Sequence, residues 1–222
     1  MRYKDDKSCI VFPKKEEKRL SKDIKEMEAE IKNRWFKDHV ATVTEHEGVT
    51  ILDWRKPGTN MYAVRYIFSG NRLFISGDLG DAIYWLTWKA TIASFEDVGL
   101  HYLMGKLTCC SRERWNFDED KARKELKDWY KESIEGYEDD KEVVSAAKEI
   151  SHAVEGIIPE YSYFQHYNNA VGYVLQDLNQ DVFDYETFAY IADFGKSLPI
   201  VFVAYLLGIK MANEQIKTTN IA

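Results

Sequence analysis

The sequence has few of the features that mark secreted or membrane-spanning proteins. It contains three cysteines, an odd number, and two of them (Cys109 and Cys110) are adjacent. This pattern does not suggest a disulfide framework, so we expect buried structural thiols in a reducing cytoplasm. No apolar secretory segment follows the first Met. The longest apolar run, Leu198 to Ile209, is too short to cross a bilayer and predicts a helix in the protein core.

Positive charge is also in short supply. Thirty Lys and Arg residues face 37 Asp and Glu residues, which gives a formal net charge of −7 at pH 7. A general attraction to nucleic acid or to anionic lipid is therefore not expected. The hydrophobic content of 45% is enough for one large core or two small ones without a metal or disulfide to hold them together.

Recognisable catalytic motifs are missing as well. The segment Phe194–Ser197 (FGKS) has the end of a phosphate-binding loop, but Tyr190 stands where the first glycine of that motif belongs. No H-E-x-x-H zinc pattern is present. We therefore expect no cofactor, and an enzyme is the less favoured of the two broad classes.

The N-terminal half combines one helix with short strands. Apolar residues every three or four positions from Leu20 to Trp35 predict an amphipathic helix within 14–37. Five runs rich in β-branched and aromatic residues then follow between about Ala41 and Trp88. The turns that separate them, such as Pro57-Gly58, are too short for parallel crossovers. These patterns predict an antiparallel meander of four or five strands.

The C-terminal half changes to a helical period. We expect a short helix near 92–107, a helix opened by an Asp118 cap, two further periodic segments, a helix capped by Asp184, and a last helix after Pro199. The predicted fold is therefore α+β: an N-terminal helix, an antiparallel sheet and a C-terminal helical bundle. We place a soft boundary near residue 110, which gives regions 1–110 and 111–222, and one continuous domain remains an alternative.

Polar residues concentrate in and beside the predicted sheet. Imidazole and carboxylate groups are the ligands of hydrolytic metal sites, so the residues of this cluster are the candidate metal ligands. They are His39, His46, Asp53, Asp78 and Asp81. Arg55 and Arg65 offer a second possibility, in which the sheet holds a nucleotide without converting it.

Acidic residues form two further candidate binding groups in the helical half. One is Glu138, Asp139 and Asp140, and the other is Asp181, Asp184 and Glu186. Such groups are suited to a basic groove on another protein, although acidic side chains are also ordinary on solvated helix surfaces.

One part of the sequence resembles a known family. The shared elements are Phe36–His39, the strand from Gly48 to Asp53, Trp54–Tyr62 (WRKPGTNMY) and Leu73–Asp81 (LFISGDLGD). On these motifs the chain is similar to a family of uncharacterised accessory proteins of bacteriophages and prophages, in the form found in phages of Firmicutes. The resemblance covers roughly residues 36–130 and, more loosely, the last twenty.

The resemblance implies a phage accessory protein that acts in the cytoplasm of the bacterial host. Many small acidic phage proteins bind a host enzyme or a defence complex, so the expected partner is a host protein, such as a CRISPR-type anti-phage effector. The alternative is a metal-dependent enzyme, or a sponge, acting on a nucleotide or a nucleotide-like signalling molecule. Neither the partner nor the oligomeric state follows from the sequence.

Overall fold

The computed structural model describes residues 15–176, 178 and 182–219. It shows an α+β protein with an N-terminal helix, an antiparallel sheet and helices toward the C-terminus, as the sequence predicted. The chain divides into two compact units. Unit 1 comprises Met1–Ser111 and Ile200–Ala222, and unit 2 comprises Arg112–Pro199.

The described part of unit 1 starts at helix α1 and continues into a six-stranded meander. Helix α1 spans Lys15–Glu30, and a π-helical turn follows at Ile31–Trp35. The strands are β1 (Val40–His46), β2 (Val49–Arg55), β3 (Val64–Ser69), β4 (Arg72–Gly77), β5 (Ala82–Trp85) and β6 (Leu107–Cys110). Every neighbouring pair in the order β1 to β6 is antiparallel. Consecutive strands are therefore neighbours throughout, joined by short connections from β1 to β5 and by a longer one from β5 to β6.

The sixth strand and its surroundings differ from the sequence-based expectation. Instead of one helix near 92–107, the chain forms a 3₁₀ turn at Ala93–Phe95 and a short helix α2 at Leu100–Gly105. Strand β6 then pairs with β5 through a register shift between Ile83 and Tyr84. Cys109 on this edge strand is exposed, which corrects the expectation of buried thiols.

One face of the sheet is covered by the last helix, α7 (Ile200–Thr219). Alternate residues of the central strands point to this covered face and are buried; they are Leu52, Trp54, Val64, Tyr66, Phe68, Leu73, Ile75, Ala82 and Tyr84. Helix α7 is apolar on nearly all sides over Val201–Ile209, as expected for a core helix. Among the described residues, no helix combines the length and hydrophobicity that a membrane crossing requires.

Unit 2 is a helical bundle with its own core. Its helices are α3 (Glu119–Ile134), α4 (Lys141–Ile157), α5 (Phe164–Gln176) and α6 (Tyr185–Ala192). A two-stranded pair, β7 (Asn116–Phe117) and β8 (Lys196–Ser197), joins its first and last segments. Asp118 and Asp184 cap α3 and α6 as predicted, each accepting a backbone N–H from three residues further on. The sequence had grouped the last helix with this bundle, whereas α7 belongs to unit 1 because its apolar surface packs on the sheet.

The Pro57-Gly58 turn between β2 and β3 gives a direct test of the backbone geometry. Gly58 has a φ of +81°, and the Thr59 N–H lies 3.4 Å from the Lys56 carbonyl oxygen, as in a type II turn. We expect Gly58→Val to lower the free energy of unfolding by about 1–3 kcal/mol, because a β-branched residue is strained at positive φ.

A Gly58→Asn control separates backbone strain from crowding at this position. No atom lies within 4 Å of a Cβ built on Gly58, so both side chains have room. Asparagine tolerates the left-handed conformation far better than valine. In urea unfolding followed by circular dichroism, equal losses for the two variants would contradict the turn geometry described here.

Candidate functional site

The loop between β2 and β3 departs from a simple hairpin turn. It runs from 56 to 63, which is longer than the Pro-Gly turn alone requires. A second turn closes it, because the Ala63 N–H donates to the Asn60 carbonyl oxygen at 3.0 Å. The Thr59 hydroxyl oxygen accepts a hydrogen bond from the Met61 N–H at 3.0 Å. The 56–63 loop is therefore built from two successive turns with their own internal hydrogen bonds.

Tyr62 holds an uncommon backbone conformation within this loop. Its φ is +55°, and no other non-glycine among the described residues has a positive φ. The Asp78 carboxylate accepts the Tyr62 N–H at 2.7 Å, and the His39 ring nitrogen Nε2 lies 3.2 Å from the Tyr62 carbonyl oxygen. The Tyr62 ring stacks on Trp35, with 4.8 Å between centroids and 2° between planes. Contacts from three separate segments thus fix a strained residue, a pattern that is often found at functional sites.

A charged pair lies on the uncovered face of the sheet beside this loop. Asp53 of β2 and Arg65 of β3 are cross-strand partners. The Arg65 guanidinium donates two hydrogen bonds to the Asp53 carboxylate, at 2.7 and 3.0 Å. These bonds to the Asp53 carboxylate raise the pKa of Arg65. The Arg65 charge is therefore compensated within the sheet.

Arg55 lies two residues beyond Asp53 on the same strand and has no such compensation. Among the described residues, its side chain makes no hydrogen bond and no ion pair. Two adjoining cavities, of about 570 and about 370 Å³, are both lined by Arg55 and Asn60. Together they form one groove along the uncovered face of the sheet, which we call the Arg55 groove. Its size is within the usual range for small-molecule sites.

The five candidate metal ligands do not form a cluster. Four of them lie at the end of the sheet that carries the 56–63 loop, but His46 ends β1 at the opposite end. In the part of the chain that the structure describes, no group of three or more His, Cys, Asp or Glu side chains is placed to hold a metal. Asp53 instead binds Arg65, and Asp78 binds the Tyr62 backbone.

His39 is buried rather than presented to solvent. Its ring lies between aromatic side chains, with centroids 4.9 Å from Phe36 and 5.6 Å from Trp54. Burial lowers the pKa of His39 below its usual value, so the ring stays neutral at physiological pH. His39 therefore positions the loop through the Tyr62 carbonyl.

The first acidic group lies in the loop between α3 and α4. Asp140 is the N-cap of α4, and its carboxylate accepts the N–H groups of Glu142 and Val143 at 3.1 and 3.3 Å. Glu138 accepts the Gly136 N–H at 3.1 Å, and hydrogen bonds from its own N–H and that of Gly136 lower its pKa. Asp139 is exposed. Asp140 thus has a structural role that its sequence context did not reveal.

The second acidic group lies before and within the first turn of α6. The Asp184 carboxylate accepts hydrogen bonds from the Thr187 N–H at 2.8 Å and the Thr187 hydroxyl at 2.7 Å. The bond from the Thr187 hydroxyl is the main reason that the pKa of Asp184 is lowered. Glu186 is exposed in the first turn, and Asp181 lies outside the described residues.

The two acidic groups lie at the same end of unit 2. Helices α3, α4 and α5 pack in sequence and reverse direction at each connection, so the α3–α4 loop and the end of α5 face the same way. A ring contact confirms this, because Trp129 of α3 and Phe183 before α6 have centroids 5.6 Å apart. Two tyrosines at this end are strongly exposed, Tyr137 at 52% and Tyr185 at 79%.

We call this region the acidic end. It consists of Tyr137, Glu138, Asp139, Asp140, Asp184, Tyr185 and Glu186. The sequence identified its acids but not its tyrosines, because aromatic residues are usually assigned to a core. The sequence also missed Asn60 and the constrained Tyr62. The unusual length of the loop between two clear strand patterns was the available signal for both.

The fold and these two surfaces define an α+β protein made of an antiparallel meander unit and a helical unit. Comparisons with protein-family models, curated proteins and solved structures give no match for this chain.

Proposed function

We propose that the protein is a phage-encoded accessory protein that binds and inhibits a cytoplasmic host protein, and that the acidic end of unit 2 is its contact surface. The partner that fits is a protein with a basic groove, such as a nucleic-acid-binding effector of an anti-phage, CRISPR-type defence system. The observation that carries this proposal is the presence of two exposed tyrosines among acidic side chains of the α3–α4 loop and the start of α6.

Tyr137 and Tyr185 give the acidic end two exposed aromatic side chains. Tyrosine is enriched in protein–protein interfaces, where its ring fills pockets and its hydroxyl bonds to polar groups. Tyr137 and Tyr185 lie beside Glu138, Asp139 and Glu186, none of which forms an ion pair within the described part of the chain. An acidic rim around aromatic side chains complements a basic surface and accelerates association with it.

The capping residues determine how this surface is tested. Reversing Asp140 or Asp184 would remove a helix cap, at a cost of about 0.5–2 kcal/mol, and would confuse loss of binding with loss of folding. The test variant therefore carries Glu138→Lys, Asp139→Lys and Glu186→Lys, and it leaves both caps intact. A second variant carries Tyr137→Ala and Tyr185→Ala.

The matched control reverses three exposed acids elsewhere, namely Asp23→Lys, Asp97→Lys and Glu149→Lys. It changes the net charge by the same amount, so it separates a local surface from overall acidity. We expect affinity capture from host cells to recover one partner with the wild type and the control, and at least about tenfold less with either acidic-end variant.

The captured partner then allows the mode of action to be measured. Inhibition should reach its maximum at a fixed ratio of the protein to its partner, and rising salt should slow association. His46→Ala should leave inhibition unchanged. Equal capture by the acidic-end variants would contradict the proposed surface. Inactivation of a large excess of target by a trace of the protein would contradict stoichiometric inhibition and favour an enzyme.

A further inference from the structure

The Arg55 groove in unit 1 has a charge pattern that the proposed inhibitor function does not use. The larger cavity is lined by Arg55 and neutral residues, with no carboxylate among the described residues that line it. In the smaller cavity, Arg65 forms an ion pair with Asp53, whereas Asp78 accepts the Tyr62 N–H, a neutral donor that does not cancel the charge of a carboxylate. In the larger cavity, Arg55 is therefore the only charged side chain among the described residues that line it.

An uncompensated guanidinium favours an oxyanion. Arginine presents parallel N–H groups that match the geometry of a phosphate and bind it through two hydrogen bonds. Arg65, by contrast, already makes this forked contact with a carboxylate in the same sheet. The one free arginine can therefore bind one anionic group of a ligand.

The remaining walls of the groove suit hydroxyl groups rather than a stacked base. Thr42, Thr59 and Asn60 supply neutral donors and acceptors around the larger cavity. Neither cavity has an aromatic ring among its described lining residues. A ligand that needed base stacking would find no platform here, whereas a hydroxyl-rich molecule would find partners for its hydrogen bonds.

The groove is also organised before any ligand arrives. The type II turn at Pro57-Gly58 and the contacts of Tyr62 with Trp35, His39 and Asp78 hold the 56–63 loop in one conformation. Binding to a surface that is already ordered loses less conformational entropy. This preorganisation is a physical reason for the strained conformation of the Tyr62 backbone.

We propose that the Arg55 groove binds a sugar phosphate, with the phosphate on Arg55 and the sugar hydroxyls on Thr42, Thr59 and Asn60. The sugar phosphate can be free or can be the ribose phosphate of a nucleotide, since both present the same chemistry. This site is separate from the contact surface of the proposed inhibitor, because its residues belong to unit 1 and the acidic end belongs to unit 2.

The proposal is tested by isothermal titration calorimetry on the full-length protein. We expect ribose 5-phosphate to bind with a dissociation constant on the order of 1 mM or below, and ribose to give no saturable heat. Arg55→Gln should weaken binding at least about tenfold. Arg55→Lys should have an affinity between those of the wild type and Arg55→Gln, because lysine keeps the positive charge but lacks the paired N–H groups of the guanidinium. Asn60→Ala should weaken binding several-fold.

Arg72→Gln is the matched control. Arg72 is an exposed arginine on the same face, at the far end of β4 from the groove, where its guanidinium lies 5.0 Å from the Trp85 ring centroid. Its loss should leave the affinity unchanged. Because neither Arg55 nor Arg72 is buried, both glutamine variants are expected to keep the thermal midpoint of the wild type.

Adenosine monophosphate serves as the second ligand. Tighter binding of the nucleotide than of ribose 5-phosphate would identify a nucleotide as the source of the sugar phosphate, and equal binding would identify a free sugar phosphate. The proposal is overturned if neither ligand saturates the wild type, if ribose or inorganic phosphate binds as tightly as ribose 5-phosphate, or if Arg55→Gln binds as well as Arg72→Gln. None of these results bears on capture of a host protein through the acidic end.

Discussion

Replacing Gly208 by alanine is expected to lower the free energy of unfolding by about 1–3 kcal/mol or more, because the contact between α7 and the sheet leaves no room for a methyl group. A Cβ at this position would lie 2.2 Å from the Tyr66 hydroxyl oxygen and 3.2 Å from ring carbons of Phe36 and Trp54. All three rings are buried, so none can move aside into solvent. The change therefore forces the helix away from the sheet.

Gly105→Ala is the control within the same unit. A Cβ at Gly105 would meet no atom within 4 Å, and alanine favours a helix over glycine by up to about 1 kcal/mol. In urea unfolding followed by circular dichroism, the midpoint should rise slightly for Gly105→Ala and fall clearly for Gly208→Ala. A Gly208→Ala midpoint equal to that of the wild type would show that α7 does not press on Tyr66.

Unfolding is also expected to become much easier above about pH 10. Burial raises the pKa of Tyr66, Tyr84 and Tyr167 above the ordinary tyrosine value, so these side chains stay protonated in the folded protein at a pH where they ionise once unfolded. The unfolded state then binds fewer protons than the folded state, and stability falls as the pH rises. The contribution of each buried tyrosine to the free energy of unfolding is fully present below pH 10, and it decreases by about 1.4 kcal/mol per pH unit above that pH.

The measurement is urea unfolding at several pH values between 7 and 11, with tyrosinate absorbance recorded in parallel. Tyr66, Tyr84 and Tyr167 should ionise only when the protein unfolds. A Tyr66→Phe, Tyr84→Phe double variant should flatten the alkaline decline of unit 1, whereas Tyr163→Phe, at an exposed position, should not. A decline that is identical in the double variant and the wild type would rule out these two residues as its cause.

The sequence was most informative where local rules decide the structure. Strands β1 to β5 follow from alternating residues between recognisable turns, and Asp118 and Asp184 follow from their positions before helical segments. Strand β6 was missed because its four residues carry no alternation, and their pairing with the β5 edge is a long-range contact. An all-round apolar helix such as α7 likewise does not say which apolar surface it will cover.

In the candidate sites, too, some features follow from the local sequence and others depend on contacts between distant residues. Arg55 and Arg65 were recognised together, but only the cross-strand register of Asp53 with Arg65 shows that one arginine is paired and the other is not. Among adjacent acids, only the start of α4 distinguishes the capping Asp140 from the exposed Asp139. Residue type can indicate a candidate site, whereas the pairing of its charged side chains depends on neighbours that are distant in the chain.

The membership of α7 in unit 1 has a consequence for protein synthesis. The covered face of the sheet needs α7, yet residues 111–199 are translated between β6 and that helix. At about 5–20 residues per second, the ribosome needs roughly 5–20 s to make this stretch. During that interval the apolar side of the nascent meander has no helix to cover it, while the intervening bundle can already fold as it emerges. The meander is therefore the part of the nascent chain with the greatest need for a chaperone.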